Sequence, residues 1–324
     1  MKIDCFLGPA QGLVPWVEDP SVTDLLIVGT AKAFVEKEGR LQEIPNPFAR
    51  HEECLDFIER ILLPLGKRID ASAPYLDARL PDGSRVHIIL SPIAVDGPHI
   101  SVRKFAQKTE VALEQFAPGE MILWLKEKMK DRKNILISGA TGSGKTTLLR
   151  CLLEEIPSDE RIIVMEESRE IRLDHPHVVH LEARTATPDG KGEVTLRDLL
   201  KNALRMRPDR IIIGECRGGE AYDMLQAMST GHSGSLGTLH ANSASEALKR
   251  LEALVLVGQP NLAARVVREW IGHSIDLVLH LERLAGRQIT EVLGVAGIEG
   301  EVIRVVPYLG ERYGRVQFSN ISMR

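Results

Sequence analysis

Four short stretches hold residue types whose spacing could do chemistry, and the first is "ISGATGSGKTTLL", in which Gly139, Gly144, Lys145 and Thr146 stand in the order G-x-x-x-x-G-K-T. Backbone free of bulky side chains lets the successive amides of Gly139, Ala140, Thr141, Gly142, Ser143 and Gly144 curl around phosphate oxygens. A helix starting just beyond them points its positive N-terminal end at the same charge. Lys145 would reach the β- and γ-phosphates, and the Thr146 hydroxyl would ligate Mg²⁺, with Thr147 next on the same turn. An apolar run precedes the glycines and a helical pattern follows them, the context this motif needs. The expected ligand is a nucleoside triphosphate.

Two acidic stretches could act on that ligand. "RIIIGECRGGEAYDML" is an apolar strand that ends at Gly214-Glu215. An Asp ordinarily stands at such a strand end to hold metal-bound water; here Gly takes that place, so the duty would pass to Glu215. "RIIVMEESREIRL" ends a second strand in Glu166, Glu167 and Glu170. Repulsion makes such clustering costly without a cation or a shared proton, so it reads either as a Mg²⁺ and water site or as a solvated acidic turn. In "MSTGHSGSLGTLHANS", His232 and His240 lie eight residues apart, which is neither helical i, i+4 spacing nor that of a zinc finger. Neutral histidines there could donate to a phosphate oxygen or a relay water, or could simply be structural. His175, His177 and His180 flank Pro176 in an extended-looking loop and receive no role.

These groups must be positioned by the elements around them. From Glu120 onward, helical patterns alternate with short β-branched runs, and "NILIS", "RIIVM", "RIIIG" and "GSLGTLHA" read as buried strands. That alternation predicts a mainly parallel sheet covered on both faces. A helix near 260 to 272 and β-rich segments, "IDLVLHL" and "ITEVLGVAGI" among them, close the pattern. Residues 1–105 read instead as a small sheet-and-helix domain, with a turn at Glu38-Gly39, a helix in "FARHEECLDFIERILLPLG" and a hairpin about Pro81-Asp82-Gly83. Residues 106–119 are the expected linker and 120–324 the second domain. The fold class expected is α/β throughout.

Composition narrows the function. At 324 residues, with 41 basic against 45 acidic side chains and a net charge of −4, the chain has no global positive field for nucleic acid or an anionic membrane. Seven Phe, three Trp and four Tyr leave little for platforms that stack single strands. Direct nucleic-acid binding is therefore not expected. The opening residues lack a sustained apolar core and no window reaches the ~18 apolar residues of a spanning helix, so membrane contact is expected only through partners. Four scattered cysteines, Cys5, Cys54, Cys151 and Cys216, read as reduced packing residues.

Taken in order, "DARLPDGSRVHIILSPIAVDGPHISVRKF", "GATGSGKTTLL", "MEESREI" and "RMRPDRIIIGECRGGEAYDMLQAMSTGHSGSLGTLHANS" resemble the type II/type IV secretion ATPase superfamily, and within it the CpaF branch that drives Tad/Flp pilus assembly. The resemblance spans roughly residues 22 to 305. It implies a PAS-like N-terminal domain, a RecA-like ATPase domain, ATP and Mg²⁺ held between them, and a hexameric ring. Such a ring would be cytoplasmic, peripheral at the inner membrane, and would work on an inner-membrane platform protein. Glu166 would orient or deprotonate the attacking water and Glu215 would hold Mg²⁺. Arginines of the N-terminal domain, Arg85 and Arg103 before Arg79, would act as fingers, and Arg217 would tie Glu215 to the other carboxylates. His240 would serve the reaction and His232 the nucleotide. The family's second motif usually reads Glu-Asp where this chain has Glu166-Glu167, and the short N-terminal region is closer in length to VirB-type ATPases. A RecA-like nucleic-acid motor and a nucleotide-sensing subunit without turnover are the alternatives.

Overall fold

The computed structural model describes residues 8–37, 39–105, 111–186, 190–284 and 286–309. Contacts divide the chain into two compact units, Met1–Thr109 and Glu110–Arg324.

The first unit runs α1 (Val14–Glu18), β1 (Val22–Val28), β2 (Lys32–Lys37), β3 (Arg40–Ile44), α2 (His51–Leu62), β4 (Tyr75–Arg79), β5 (Arg85–Ile89) and β6 (His99–Arg103). Its strands form one antiparallel sheet in the order β3-β2-β1-β6-β5-β4. Helix α2 buries Cys54, Phe57, Ile58, Ile61 and Leu62 in one core with Leu25, Ile27, Val86, Ile88, Ile100 and Val102, the helical stripe meeting the inward half of alternating strands. The hairpin at Pro81 forms as its residues dictate: the Leu80 amide donates to Ser84 O at 2.7 Å, and Gly83 adopts φ 93°. Register then sets Arg79 opposite Arg85, Arg85 opposite Arg103, and Arg103 opposite Asp24. Directly paired residues share a face, so the arginines form a row on the side away from Val86 and Val102. Of the expected turn at Glu38-Gly39, Glu38 lies outside the described residues.

The second unit contains α3 (Gly119–Lys130), β7 (Ile135–Gly139), α4 (Lys145–Leu153), β8 (Ile162–Glu166), β9 (Val178–Glu182), α5 (Leu196–Ala203), β10 (Arg210–Ile213), α6 (Glu220–Ser229), β11 (Leu236–Leu239), α7 (Ala244–Gly258), α8 (Ala264–Ser274), β12 (Leu277–Arg283), β13 (Arg287–Glu299) and β14 (Val302–Leu309). One eight-stranded sheet has the order β14-β13-β12-β7-β11-β10-β8-β9. The six strands from β12 to β9 are parallel, and β13 and β14 add an antiparallel edge. Helices α3 and α4 cover one face with Met121, Leu125, Leu148 and Leu152; α5 to α8 cover the other with Leu200, Leu225, Leu251 and Val267. Of the expected linker, residues 106–110 lie outside the described residues, while Leu113 and Phe116 are buried in the second unit's core, so 111–119 is packed rather than loose. Among the described residues no helix is long and apolar enough to cross a membrane. Cys54, Cys151 and Cys216 are free and buried, which pushes the first two thiols up to about 11; Cys5 lies outside the described residues.

Polar side chains stitch the edge at which the parallel strands begin. Asn134 accepts at Oδ1 from the amides of Gly234 (2.9 Å) and Ser235 (3.0 Å) and donates to Ser274 O at 2.7 Å. Arg210, with 0% exposure, donates to Glu160 at 2.6 Å and to Met129 O at 2.7 Å. Removing one member of a buried pair strands the other charge. Arg210→Met is therefore expected to destabilise the second unit by about 3 kcal/mol, the low end for such a pair because Arg132 still reaches Glu160 at 3.2 Å. Urea denaturation checks this, and adding Glu160→Leu should recover part of the loss.

Candidate active site

Strand β7 ends at Gly139 and α4 begins at Lys145, so the phosphate loop lies at the sheet edge where the parallel strands end. Gly144 adopts φ 101°, and a methyl group there would come 2.7 Å from Arg287 Cδ and 3.3 Å from Phe116 Cε1. Only glycine meets both conditions. Thr141 and Gly142 are exposed at the crest, Ser143 is buried, and Thr146 and Thr147 are half-buried on the first turn of α4. Lys145 is 7% exposed; its Nζ donates to Gly139 O and Ala140 O, each at 3.0 Å, and lies 3.4 Å from His240 Nδ1. Burial lowers its pKa, against the attraction of Glu215 and Glu170.

The two acidic strand ends emerge at the same edge. β8 and β10 are parallel neighbours, with Met165 opposite Ile213, which sets Glu166 beside Gly214. Contact is close: a methyl on Gly214 would stand 2.7 Å from Glu166 Cγ. This explains the glycine where an Asp is usual, since a side chain there would collide with Glu166. Glu166 is only 4% exposed, and its Oε1 accepts from the amides of Glu170 (2.9 Å) and Ile171 (3.1 Å). Its carboxylate is occupied in holding the turn 167–171, and the exposed Glu170 is the acid of that cluster whose charge acts on Lys145.

Glu215 is the hub. Its Oε2 accepts from Arg217 Nε at 2.9 Å and Nη2 at 2.5 Å, its Oε1 faces His240 Nε2, and Arg217 Nη1 donates to Glu167 at 2.8 Å. Ammonium only donates and carboxylate only accepts, so a neutral His240 with Nδ1 toward Lys145 and its Nε2–H toward Glu215 suits both neighbours, the Nε2 contact being close but not aligned as a hydrogen bond. Burial, then the Lys145 charge, lower the His240 pKa and favour that neutral ring, against the pull of Glu215. Lys145, His240, Glu215, Arg217 and Glu167 thus form one connected chain. Strand β11 secures it, because Thr238 Oγ1 donates to Gly214 O at 2.6 Å and the Cys216 amide to Thr238 O at 2.7 Å.

His232 is not brought to this site. It precedes β11, whose four residues separate it from His240, and it therefore lies at the opposite edge of the sheet, beside the Asn134 cluster, with Nδ1 3.3 Å from Ala227 O. The nucleotide role expected for His232 is corrected within this unit. Arg85 and Arg103 lie in the first unit, on β5 and β6, where Arg103 Nε donates to Asp24 at 3.0 Å. His175 bonds Pro157 O at 3.0 Å, and burial pushes His180 on β9 down to about 4, leaving it neutral. Sequence reasoning missed Arg287, which the β12–β13 hairpin lays over Gly144; nothing local marks it, because the approach depends on strand order.

Among the described residues no group of three or more His, Cys, Asp or Glu could hold a metal ion by itself. A hydroxyl on Thr146 and the carboxylate of Glu215 are hard oxygen donors, few in number. They suit Mg²⁺, which keeps waters and relies on substrate phosphates for the rest of its shell. Because Gly214 presses on Glu166, Gly214→Ala is expected to dislodge the Glu166 carboxylate from its amides and to cost about 1–3 kcal/mol of stability. Thermal melting against wild type checks it.

Residues 10–293 match the family described as Type II/IV secretion system protein. The chain is 34% identical over 312 residues to the Mycobacterium tuberculosis protein Rv3659c, provisionally described as a conjugal transfer protein, covering 93% of this chain and 88% of that one. It is 30% identical over 320 residues to the type IV secretion system protein VirB11 of Brucella suis, covering 87% and 88%. The solved Legionella pneumophila ATPase DotB is similar at 25% identity with a TM-score of 0.58, over 90% of this chain and 80% of that one. With its phosphate loop, its acidic strand ends and this match along most of its length, the chain belongs to the type II/IV secretion system protein family and is a nucleotide-binding ATPase with a RecA-like second unit.

Proposed function

We propose that this chain is the ATP-hydrolysing motor of a bacterial secretion or pilus machine, and that it works as a hexameric ring on the cytoplasmic face of the inner membrane against a platform protein. The single observation that carries the reading is the connected chain from Lys145 through His240 and Glu215 to Arg217 and Glu167, set at the mouth of the phosphate loop. A phosphate acceptor would draw Lys145 away from Gly139 O and Ala140 O, and His240 passes that displacement to Glu215. The amides of residues 139–144 hold the polyphosphate, Thr146 and Glu215 would hold Mg²⁺, and that ion would supply charge neutralisation on the phosphates. Glu166, with the exposed Glu170 beside it, orients or deprotonates the attacking water. Arg85 and Arg103 of the first unit, from the same copy or a neighbouring one, complete the positive charge about the leaving phosphate; fingers of this kind are worth ~10³ to 10⁵ in rate.

Residues 1–105 then form the PAS-like domain that supplies these arginines, 106–119 the linker and 120–324 the ATPase engine. The quoted motifs favour the CpaF branch and pilus assembly, while the names of the matched relatives point to type IV secretion. Loss of pili, or of secreted substrate, on deleting the gene decides between them.

Purified chain assayed for phosphate release tests the core of this reading. Lys145→Ala is expected to lower turnover by about 10²-fold or more, and wild-type turnover in it would remove the loop from the mechanism. Glu166→Gln should lower turnover at saturating ATP more than Glu170→Gln at equal folded protein; wild-type turnover in Glu166→Gln would remove it from the chemistry. Nucleotide binding by the wild type without any phosphate release would make the chain a sensor.

A further inference from the structure

The β12–β13 hairpin is the part of the site that the family motifs leave out. β12 pairs with β7 as far as Leu281 opposite Gly139, then runs on through Glu282 and Arg283, beyond the point where β7 gives way to the loop. Arg283 is paired across the hairpin with Arg287, the first residue of β13, so both side chains leave the same face. The stem of Arg287 lies over Gly144, and its Nη1 donates to Thr147 Oγ1 at 3.4 Å.

This contact falls on a particular flank of the loop. On a helix with about 100° per residue, Lys145 and Thr147 point about 200° apart. Lys145 turns toward Gly139 O, Ala140 O, His240 and the acids. Thr147 and Arg287 occupy the other flank. A polyphosphate laid along the loop with its terminal phosphate among Lys145, His240 and Glu215 must bring its opposite end, the phosphate joined to the nucleoside, toward Thr147.

We propose that Arg287 is a nucleotide-binding residue that grips the α-phosphate end of ATP and ADP, with Arg283 adding positive charge beside it. Partial desolvation against the loop, and then the Arg283 charge, both work against the guanidinium of Arg287. An anion seated there relieves that repulsion, and a guanidinium matches phosphate oxygens better than an ammonium does.

The inference rests on the reading that the loop binds ATP, and calorimetric titration of the purified chain separates the two. ADP is titrated into wild type, Arg287→Gln and Arg287→Lys, and ATP into the same set carrying Glu215→Gln to suppress turnover. Arg287→Gln keeps the stem over Gly144 and is expected to lose about tenfold in affinity for both nucleotides, with Arg287→Lys between it and wild type. ADP binding by Arg287→Gln within about twofold of wild type, or a loss confined to ATP, would overturn the assignment, the latter because it would put Arg287 at the terminal phosphate. Failure of the wild type to bind either nucleotide would overturn the ATP reading itself. Melting temperature without nucleotide is expected to match wild type; a large fall in it with unchanged ADP affinity would make Arg287 a brace of the loop only.

Discussion

An ammonium group withdrawn from water must find lone pairs, and in the second unit that requirement falls on Lys145. The group is nearly buried, it rests on two carbonyls of its own loop, and its third neighbour is an imidazole. Everything at this edge of the sheet is arranged around that constraint. Strand β7 must end where the carbonyls of Gly139 and Ala140 turn inward, and α4 must begin at once so that the lysine follows. β11 must end one residue before His240 for the ring to stand between Lys145 and Glu215. The acid is then compensated from its other side by Arg217.

The phosphate loop was legible because its residues are contiguous and their chemistry is local. So were the parallel strands, whose β-branched runs and intervening helical patterns need no tertiary knowledge. The setting of Glu166 was not legible, because the direction of its carboxylate is fixed by two amides in the following turn and by the absence of a side chain on Gly214, 48 residues away in sequence. His232 was grouped with His240 because the two share one glycine-rich stretch, yet a four-residue strand fits between them and carries them to opposite edges. Leu113 and Phe116 sat in a segment of weak periodicity, and their burial depends on a core supplied from elsewhere in the chain. Arg287 lies 143 residues beyond Gly144, and only the order of strands brings them together.

In the first unit the same logic operates through register. A two-residue shift at the Pro81 hairpin would part Arg79 from Arg85, and a shift at β6 would part Arg103 from Asp24. Like charges side by side on a sheet are unfavourable. Asp24 at one end of the row and the ring of Phe105, 5.8 Å from the Arg79 guanidinium, offset some of that repulsion. The row thus gathers three guanidinium groups on the face of the sheet away from its core.

The edge at which the parallel strands begin behaves differently from the edge that carries the chemistry. Asn134 ties β7 to the approaches of β11 and β12, and Arg210 fastens β10 to the end of α3 and to Glu160. Slippage of one strand past another would tear these bonds inside a dry interior, so the sheet acts as an anvil. Side chains bridge strands at this end, whereas at the far side turns rich in glycine and exposed acids join them, so the two ends of one sheet differ in stiffness.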